Sequence, residues 1–276
     1  MKNILISFSG GRTSAFMCKL ILEHSAYKDF NKLICFANTG KENEETLNFV
    51  NECDKRWNLD VNWIEANITM EKGIGTKYKL VDYKSASRNG EPFEDVIKKF
   101  GLPSKLYRHC TRDLKEVPIH KFAKEYFKGK YLTAIGIRAD EKHRLGNNKE
   151  NFYPLAEFNI DERFIRNWWD QQDFDLKLKD YQGNCDLCFL KSVRKKMTLI
   201  NEKPNVSEWW QKMENKYSDN NQLKFDVYRD LSIEDLVKKS KQRFSKAKDK
   251  HELNKQQKSM FDTDLDIEFD CFCKNT

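Results

Sequence analysis

A segment rich in glycine and hydroxyl side chains follows the first apolar run of the chain. The run Ile4-Leu5-Ile6 leads through Ser7 and Phe8 into Ser9-Gly10-Gly11-Arg12-Thr13-Ser14. A turn between a strand and a helix presents backbone N–H groups at the positive end of the helix, which favours anions. The serines add hydroxyl donors and Arg12 adds charge. The segment is therefore a candidate phosphate site, although an ordinary glycine turn of an α/β domain is an alternative.

Polar residues also follow two later apolar runs. Asn38, Thr39 and Gly40 come directly after the run at 32–37, and the run at 130–138 carries Gly136 and Arg138 at its end. Guanidinium groups match phosphate oxygens, so Arg138 and the later Arg144 are candidate phosphate partners. Lys115 is a further candidate of the same kind. Taken singly, each of these cations is equally compatible with a solvated surface charge.

Cysteines form a second set of residues with possible chemistry. Cys18, Cys35 and Cys53 lie among apolar neighbours and are predicted to be small core residues. Cys185 and Cys188 have the C-x-x-C spacing of a metal site or a redox dithiol, and reduced thiols without a ligand are the alternative. The remaining three cysteines are Cys110, Cys271 and Cys273.

The elements that must position these residues alternate between strand and helix. Apolar runs at 3–8, 32–37, 60–65 and 130–138 predict strands. Amphipathic patterns predict helices after Thr13 and at the ranges 43–57, 93–101 and 113–127. The alternation predicts an α/β fold with a mostly parallel sheet and helices on both faces. Residues 1–150 are predicted to form this nucleotide-binding domain, and residues 151–276 a mainly helical extension.

Composition and charge limit the class of protein. The chain has 276 residues, is 39% hydrophobic and carries a net charge of +7, so it can bury a core and is compatible with a nucleotide, RNA or DNA partner. No apolar run approaches the ~20 residues of a membrane span, and the start lacks the features of a signal peptide. A cytoplasmic protein without a membrane partner is predicted, and a homo-oligomer is compatible with the sequence. The tryptophan pairs at 168–169 and 209–210 are predicted to pack inside.

Four segments in order resemble the PP-loop ATP pyrophosphatase (adenine nucleotide alpha hydrolase) superfamily, and within it the phosphoadenylyl-sulfate (PAPS) reductase-like family. Residues 9–14 resemble the superfamily pattern Ser-Gly-Gly-x-(Asp or Thr)-Ser. The segments "FANTGKENEET" at 36–46, "CTRDLKEVP" at 110–118 and "IGIRADEKHR" at 135–144 resemble three further family motifs. The resemblance covers about residues 1–200 and implies the family's α/β fold. Many ATP-cleaving relatives have Asp where this chain has Thr13.

The resemblance implies an adenine nucleotide, ATP or the sulfonucleotides PAPS or APS, together with Mg²⁺. It implies Arg12, Lys115 and Arg138 as catalytic residues. It implies nucleotide binding by Ser7, Phe8, Ser9, Gly10, Gly11, Arg12, Thr13, Ser14, Asn38, Thr39, Gly40, Gly136, Arg138 and Arg144. Iron–sulfur members of the family ligate a 4Fe–4S cluster through cysteines at the positions of Cys110, Cys185 and Cys188. This chain supplies three of the four ligands, so a cluster with one open iron is expected here; structural zinc or a closed cluster is the alternative if His109, Cys271 or Cys273 closes the site.

Three functions remain as hypotheses. The first is ATP-dependent adenylylation of an acceptor, with release of pyrophosphate, coupled to sulfur transfer from a sulfur donor; a nucleic-acid acceptor suits the basic extension. The second is a sulfonucleotide reductase that uses a thiol reductant and attacks sulfate with Cys271 or Cys273. The family's Glu-Cys-Gly-x-His context is absent around those residues, which argues against it. The third is a nucleotide-binding module without catalysis.

Overall fold

The computed structural model describes residues 2–218, 224–225 and 231–249. Cys271 and Cys273 lie outside the described residues, as does the end of the basic stretch. The strands are β1 (Lys2–Ser7), β2 (Phe30–Ala37), β3 (Asn62–Asn67), β4 (Lys77–Val81), β5 (Leu132–Ala134) and β6 (Asn151–Phe152).

The helices alternate with these strands in the first half of the chain and follow them in the second. They are α1 (Arg12–Glu23), α2 (Glu44–Trp57), α3 (Glu91–Phe100), α4 (His109–Thr111), α5 (Val117–Phe127), α6 (Pro154–Glu157), α7 (Glu162–Trp169), α8 (Val193–Glu202), α9 (Val206–Tyr217) and α10 (Ile233–Ser240). None of these helices is long and apolar enough to cross a membrane.

The described strands form one six-stranded sheet in the order β4-β3-β2-β1-β5-β6. All neighbouring pairs are parallel except β3 and β4, which are antiparallel. The predicted α/β fold with a mostly parallel sheet is confirmed. Because β1 lies in the middle of the sheet, the glycine-rich segment that follows it lies at the centre of the carboxyl edge, where open α/β sheets bind ligands.

Burial on both sides of β1 explains its continuous apolar sequence. Ile4 and Ile6 are fully buried in one hydrophobic cluster with Phe36 and residues of α1 and α2. Leu5 is fully buried in a second cluster with Ala123 of α5. Side chains alternate between the two faces of a strand, so helices must cover both faces of this sheet.

Two predicted elements differ in extent from the structure. The strand predicted at 130–138 is regular only over Leu132–Ala134. The helix predicted at 113–127 begins at His109, and a π-helical segment at Arg112–Glu116 precedes α5. Pro118 lies in the first turn of α5, where its missing N–H costs least. Strands β4 and β6 were not predicted, since β4 is a largely exposed polar edge strand and β6 has two residues.

The second half of the chain contributes to two cores. Ile165 and Trp169 of α7 are buried in the cluster that covers α1 and α2. A separate cluster joins α3 to α8, α9 and α10 and contains Trp210, which is 1% exposed. The interpretation of both tryptophan pairs as packing residues is therefore correct.

Candidate functional site

The turn between β1 and α1 requires glycine at one of its two glycine positions. Gly10 has φ +80°, and a Cβ built there would lie 2.6 Å from Thr46 Cγ2. Gly11 is the N-cap of α1 with φ −100°, and the nearest atom to its Cβ would be Ser9 Oγ at 4.0 Å. Gly10 thus allows the turn to pack against α2, whereas Gly11 leaves open space at the helix N-terminus.

Ser14 holds the turn in shape from the inside. Its hydroxyl lies 2.9 Å from Ser9 Oγ and accepts the backbone N–H groups of Ser9 at 3.2 Å and Gly11 at 3.3 Å. The same hydroxyl donates to the Gly11 carbonyl at 3.0 Å, and Ser14 is 4% exposed. Ser14 therefore fixes the loop, and the first-turn N–H groups of α1, which have no acceptor inside the helix, are the donors available to an anion.

A cavity of about 460 Å³ opens over this turn at the carboxyl ends of β1 and β5. It brings together eleven of the predicted site residues: Ser7, Ser9, Gly10, Gly11, Arg12, Thr13, Ser14, Lys115, Gly136, Arg138 and Arg144. The described lining also contains charged residues that the sequence did not indicate as part of the site: Glu162, Arg166, Lys179 and Asp180. We name this space the first cavity.

The first cavity is lined by charged residues of both signs. The cations among its described lining residues are Arg12, Lys115, Arg138, Arg144, Arg166 and Lys179, and the acids are Glu42, Glu141, Glu162 and Asp180. Two further acids outside the lining, Asp175 and Asp140, pair with Arg12 and Arg138. The first-turn N–H groups of α1 are therefore the clearest donors for an anion in this cavity.

Arg12 points across the cavity wall rather than toward the turn. Its Nε and Nη2 donate to the two carboxylate oxygens of Asp175 at 2.7 and 2.8 Å. Arg12 Nη2 also donates to the Leu176 carbonyl, and Nη1 donates to the Leu178 carbonyl at 3.3 Å. Trp169 Nε1 donates to the Arg12 carbonyl at 3.0 Å. In this arrangement Arg12 anchors the segment 175–178, which forms one side of the cavity.

Arg138 and Arg144 form a network with acids at the opposite side. Arg138 Nε and Nη2 donate to Asp140 at 3.0 Å each, and Nη1 lies 3.5 Å from Glu141 Oε2. Arg144 Nη1 donates to Glu141 Oε1 at 2.6 Å. Burial lowers the pKa of Arg138, but its hydrogen bonds to Asp140 and the nearby carboxylates more than offset this and raise the pKa overall. Arg138 therefore keeps its charge although it is largely buried.

A second cavity of about 470 Å³ lies on the other side of the turn. It shares Ser7, Ser9, Lys115 and Ile135 with the first cavity. Its other apolar lining residues are Leu5, Phe8, Ala37, Val117 and Ile119, and it is also lined by the charged or titratable residues Glu116, His120, Lys121, Lys124 and Glu150. The glycine-rich turn and Lys115 therefore lie between a charged space and a space with a mixed apolar and charged lining.

Asn38, Thr39 and Gly40 line neither cavity. Asn38 is fully buried, and its amide donates to Glu65 Oε1 at 2.6 Å and to the Ser87 carbonyl at 2.9 Å. Gly40 has φ +77° and would clash with Ser87 if it carried a Cβ. These residues shape the end of β2, while their neighbours Ala37 and Glu42 line the second and first cavities respectively.

The predicted metal ligands Cys110, Cys185 and Cys188 are buried in one hydrophobic cluster at 6%, 4% and 3% exposure. Cys185 Sγ lies 3.7 Å from Thr39 Oγ1, and the Cys188 N–H donates to the Cys185 carbonyl at 3.2 Å. Within residues 2–218, 224–225 and 231–249, no three His, Cys, Asp or Glu side chains stand close enough to share one metal ion. The described side chains thus do not by themselves form a cluster or zinc site, and metal binding, including that of Mg²⁺, stays a prediction.

The residues that the sequence did not assign to the site come from the second half of the chain. Arg166 Nη2 donates to Glu162 at 2.7 Å and to Asp180 at 2.9 Å, which ties α7 to the loop that precedes α8. These residues lie more than 140 positions after the glycine-rich turn, and no motif marks them. The local sequence contains no motif that would identify these residues. They reach the site only because the second half of the chain packs against the carboxyl edge of the sheet.

Comparison with known proteins agrees with this geometry. The model of the phosphoadenosine phosphosulfate reductase domain matches residues 3–83, which contain the turn and the end of β2. The chain is 38% identical over 197 residues to the uncharacterized nin region protein ORF290 of Escherichia phage lambda, covering 69% of this chain and 67% of that protein. It is 28% identical over 149 residues to the uncharacterized protein MJ0066 of Methanocaldococcus jannaschii, covering 54% of this chain and 25% of that protein. The chain therefore belongs to the phosphoadenosine phosphosulfate reductase domain family of the PP-loop adenine nucleotide alpha hydrolase superfamily.

Proposed function

We propose that the chain binds an adenine nucleotide across the glycine-rich turn, with the phosphates in the first cavity and the nucleoside in the second. The observation that carries this proposal is the junction of the two cavities at Ser7, Ser9 and Lys115. A nucleotide has a charged phosphate end and a less polar nucleoside end, and the lining of the second cavity has a larger share of apolar side chains than that of the first. The first-turn N–H groups of α1 at the floor of the first cavity support the placement of the phosphates.

The proposed reaction is cleavage of ATP at the α-phosphate. If the nucleoside lies in one cavity and the β- and γ-phosphates in the other, the α-phosphate lies at the junction beside Lys115. An acceptor nucleophile attacks the α-phosphorus, the bond from that phosphorus to the bridging oxygen breaks, and pyrophosphate leaves with the electron pair. Lys115 would stabilise the charge that develops there, and Arg138 would hold the departing phosphates.

Sulfur transfer is the proposed continuation of this reaction. Adenylylation converts an acceptor oxygen into a good leaving group, and a sulfur nucleophile supplied by a donor then displaces AMP. The acceptor gains a bond to sulfur and loses its bond to oxygen, so no oxidant or reductant is needed. The family membership and the buried cysteines next to the site support this continuation, but no residue of the described chain is assigned to it.

Binding measurements test the first part of the proposal. Isothermal titration with ATP, PAPS and AMP should show that ATP or PAPS binds more tightly than AMP, because most of the proposed contacts are to phosphate. Arg138→Ala should weaken binding about 10- to 150-fold, in line with ~1.5–3 kcal/mol for a charged hydrogen bond. Lys130→Ala removes a charge that lines neither cavity and should leave binding unchanged. Equal affinities of wild-type protein and Arg138→Ala would contradict the placement.

Turnover assays separate the three functions that the sequence left open. Exchange of labelled pyrophosphate into ATP, lost in Lys115→Ala, supports adenylylation. Thiol-dependent release of sulfite from PAPS or APS, without exchange, would instead establish a sulfonucleotide reductase. Cell extract is added as a source of acceptor. Tight binding of nucleotide without either activity under these conditions would indicate a nucleotide-binding module without catalysis.

A further inference from the structure

The stretch from Lys98 to Arg112 differs from its surroundings in charge and in exposure. It contains five cations, at positions 98, 99, 105, 108 and 112, and no acidic residue. Leu106 and Tyr107 are 62% and 64% exposed, the highest values among the large hydrophobic side chains of the described residues. An apolar and aromatic tip within a cationic stretch is typical of a binding surface rather than of an ordinary loop.

Aromatic rings in this stretch are stacked. The Tyr107 and His109 rings are nearly parallel, with an angle of 11° and centroids 6.2 Å apart. His109 and Phe100 stack at 5.5 Å and 22°. The Arg112 guanidinium carbon lies 5.4 Å from the Phe100 centroid, and the Arg112 Nε donates to Asp113 Oδ2 at 2.8 Å. We name Phe100, Tyr107, His109 and Arg112 the aromatic platform, whose most exposed ring is Tyr107.

The backbone holds the tip of the platform in a defined turn. Ser104 is 4% exposed, and its hydroxyl accepts the N–H groups of Leu106 and Tyr107 at 3.3 Å each. The Ser104 N–H donates to the Tyr107 carbonyl at 3.0 Å. On the inner side, Lys99 Nζ donates to the Thr69 carbonyl at 2.6 Å. Because the exposed ring is held before a partner arrives, less conformational entropy is lost on binding.

We infer that the aromatic platform binds single-stranded nucleic acid, with an unpaired base stacked on Tyr107 and cations of the stretch other than Lys99, which donates to backbone carbonyls, along the phosphates. Base stacking on aromatic side chains beside a positively charged track is how proteins bind single strands. A duplex has its bases stacked on one another and offers no free face to Tyr107, so the platform should favour a single strand. An acidic protein would use the cations but would not need the stacked rings.

The position of the platform relates it to the proposed reaction. Lys115 follows Arg112 by three residues on the same helical segment and borders both cavities. A strand bound on the platform would therefore lie beside the proposed position of the α-phosphate, and it would be the acceptor class for adenylylation. That role rests on the proposed function, whereas strand binding itself does not, since it requires no nucleotide.

Fluorescence anisotropy with the full chain tests strand binding without any nucleotide present. The probes are a fluorescein-labelled single-stranded 20-mer of uridine and the same length of duplex. The wild-type protein should prefer the single strand, and Tyr107→Ala should weaken binding roughly 5- to 150-fold, the range for loss of one stacked base. Tyr107→Phe keeps the ring and should bind within about twofold of wild type.

Matched controls separate stacking from charge and from misfolding. Tyr126→Ala removes an aromatic side chain that is 50% exposed but lies on α5, outside the platform, and should leave binding unchanged. Lys98→Ala removes an exposed cation of the stretch and should reduce the dependence of binding on salt, because one phosphate contact is lost. Circular dichroism of Tyr107→Ala should match wild type, since the substituted side chain is largely in solvent.

Three outcomes would overturn the inference. Unchanged binding of the single strand by Tyr107→Ala would show that the ring is not a stacking surface. Equal affinity for duplex and single strand would show that charge alone binds the phosphates. Competition by polyglutamate at equal charge concentration would indicate an acidic protein partner. Absence of pyrophosphate exchange in the wild-type protein, with strand binding intact, would instead refute only the proposed reaction.

Discussion

The contrast between Gly10 and Gly11 gives the sharpest test of how the turn is built. Alanine at position 10 must adopt φ near +80°, which costs an L-residue about 1–2 kcal/mol. Its Cβ would also lie 2.6 Å from Thr46 Cγ2, 3.1 Å from Phe36 Cε2 and 3.3 Å from Val50 Cγ2. Overpacking of this kind costs about 1–3 kcal/mol. Gly10→Ala should therefore lower the free energy of unfolding by about 2–5 kcal/mol, a large part of the total stability of a typical domain.

Gly11→Ala is the matched control, because the same change is made one residue away. Position 11 has φ −100°, and no atom lies nearer than 4.0 Å to the added Cβ. Alanine is a poorer N-cap than glycine but restricts the unfolded chain, so the net change in stability should stay below about 1 kcal/mol. The added methyl group does lie in the first cavity, so nucleotide affinity should fall although the fold is intact.

Urea unfolding followed by tryptophan fluorescence measures the first effect, and calorimetric titration of ATP measures the second. The reasoning predicts opposite outcomes for the two variants: loss of stability at position 10, and loss of nucleotide affinity with stability retained at position 11. Equal destabilisation by both variants would refute the assignment of distinct roles to the two glycines. A change below about 0.5 kcal/mol for Gly10→Ala would show that the turn can relax around a side chain.

Two further predictions follow from the contacts around the site. A double-mutant cycle of Arg12→Ala and Asp175→Ala should give a coupling of about 0.5–1 kcal/mol that decreases in high salt, because the pair is partly exposed; a coupling of zero would contradict the role of Arg12 as an anchor. Burial lowers the pKa of His120, with the charge of Lys124 a smaller cause and those of Glu116 and Glu150 opposing. The unfolded chain therefore binds a proton first, near pH ~6.5, and stability should fall as the pH drops below that value. His120→Gln should reduce this pH dependence between pH 8 and 5 in unfolding experiments, and an identical slope in both proteins would refute the assignment.

Much of the fold could be predicted because its signals are local. The buried run of β1, the glycine-rich turn and the amphipathic pattern of α1 are adjacent in sequence, and each depends on side-chain periodicity or turn chemistry. The strand predicted at 130–138 was too long because the extent of a strand depends on its partner as well as on its own residues. Apolar residues continue to Ile137, but only Leu132–Ala134 has a regular partner in β1, and the availability of a partner strand is not a local property.

The sequence by itself determined that a donor-rich turn follows a central strand and that Lys115, Arg138 and Arg144 are cations near the ends of elements. Only the tertiary structure decided what those groups meet. Arg12 has the charge of a phosphate ligand, yet it pairs with Asp175, 163 residues away. The second cavity and the stack of His109 on Phe100 likewise arise from where separate segments pack. Conformation of the turn is set by neighbouring residues, whereas the partner of a long charged or aromatic side chain is set by whichever segment the fold brings within reach.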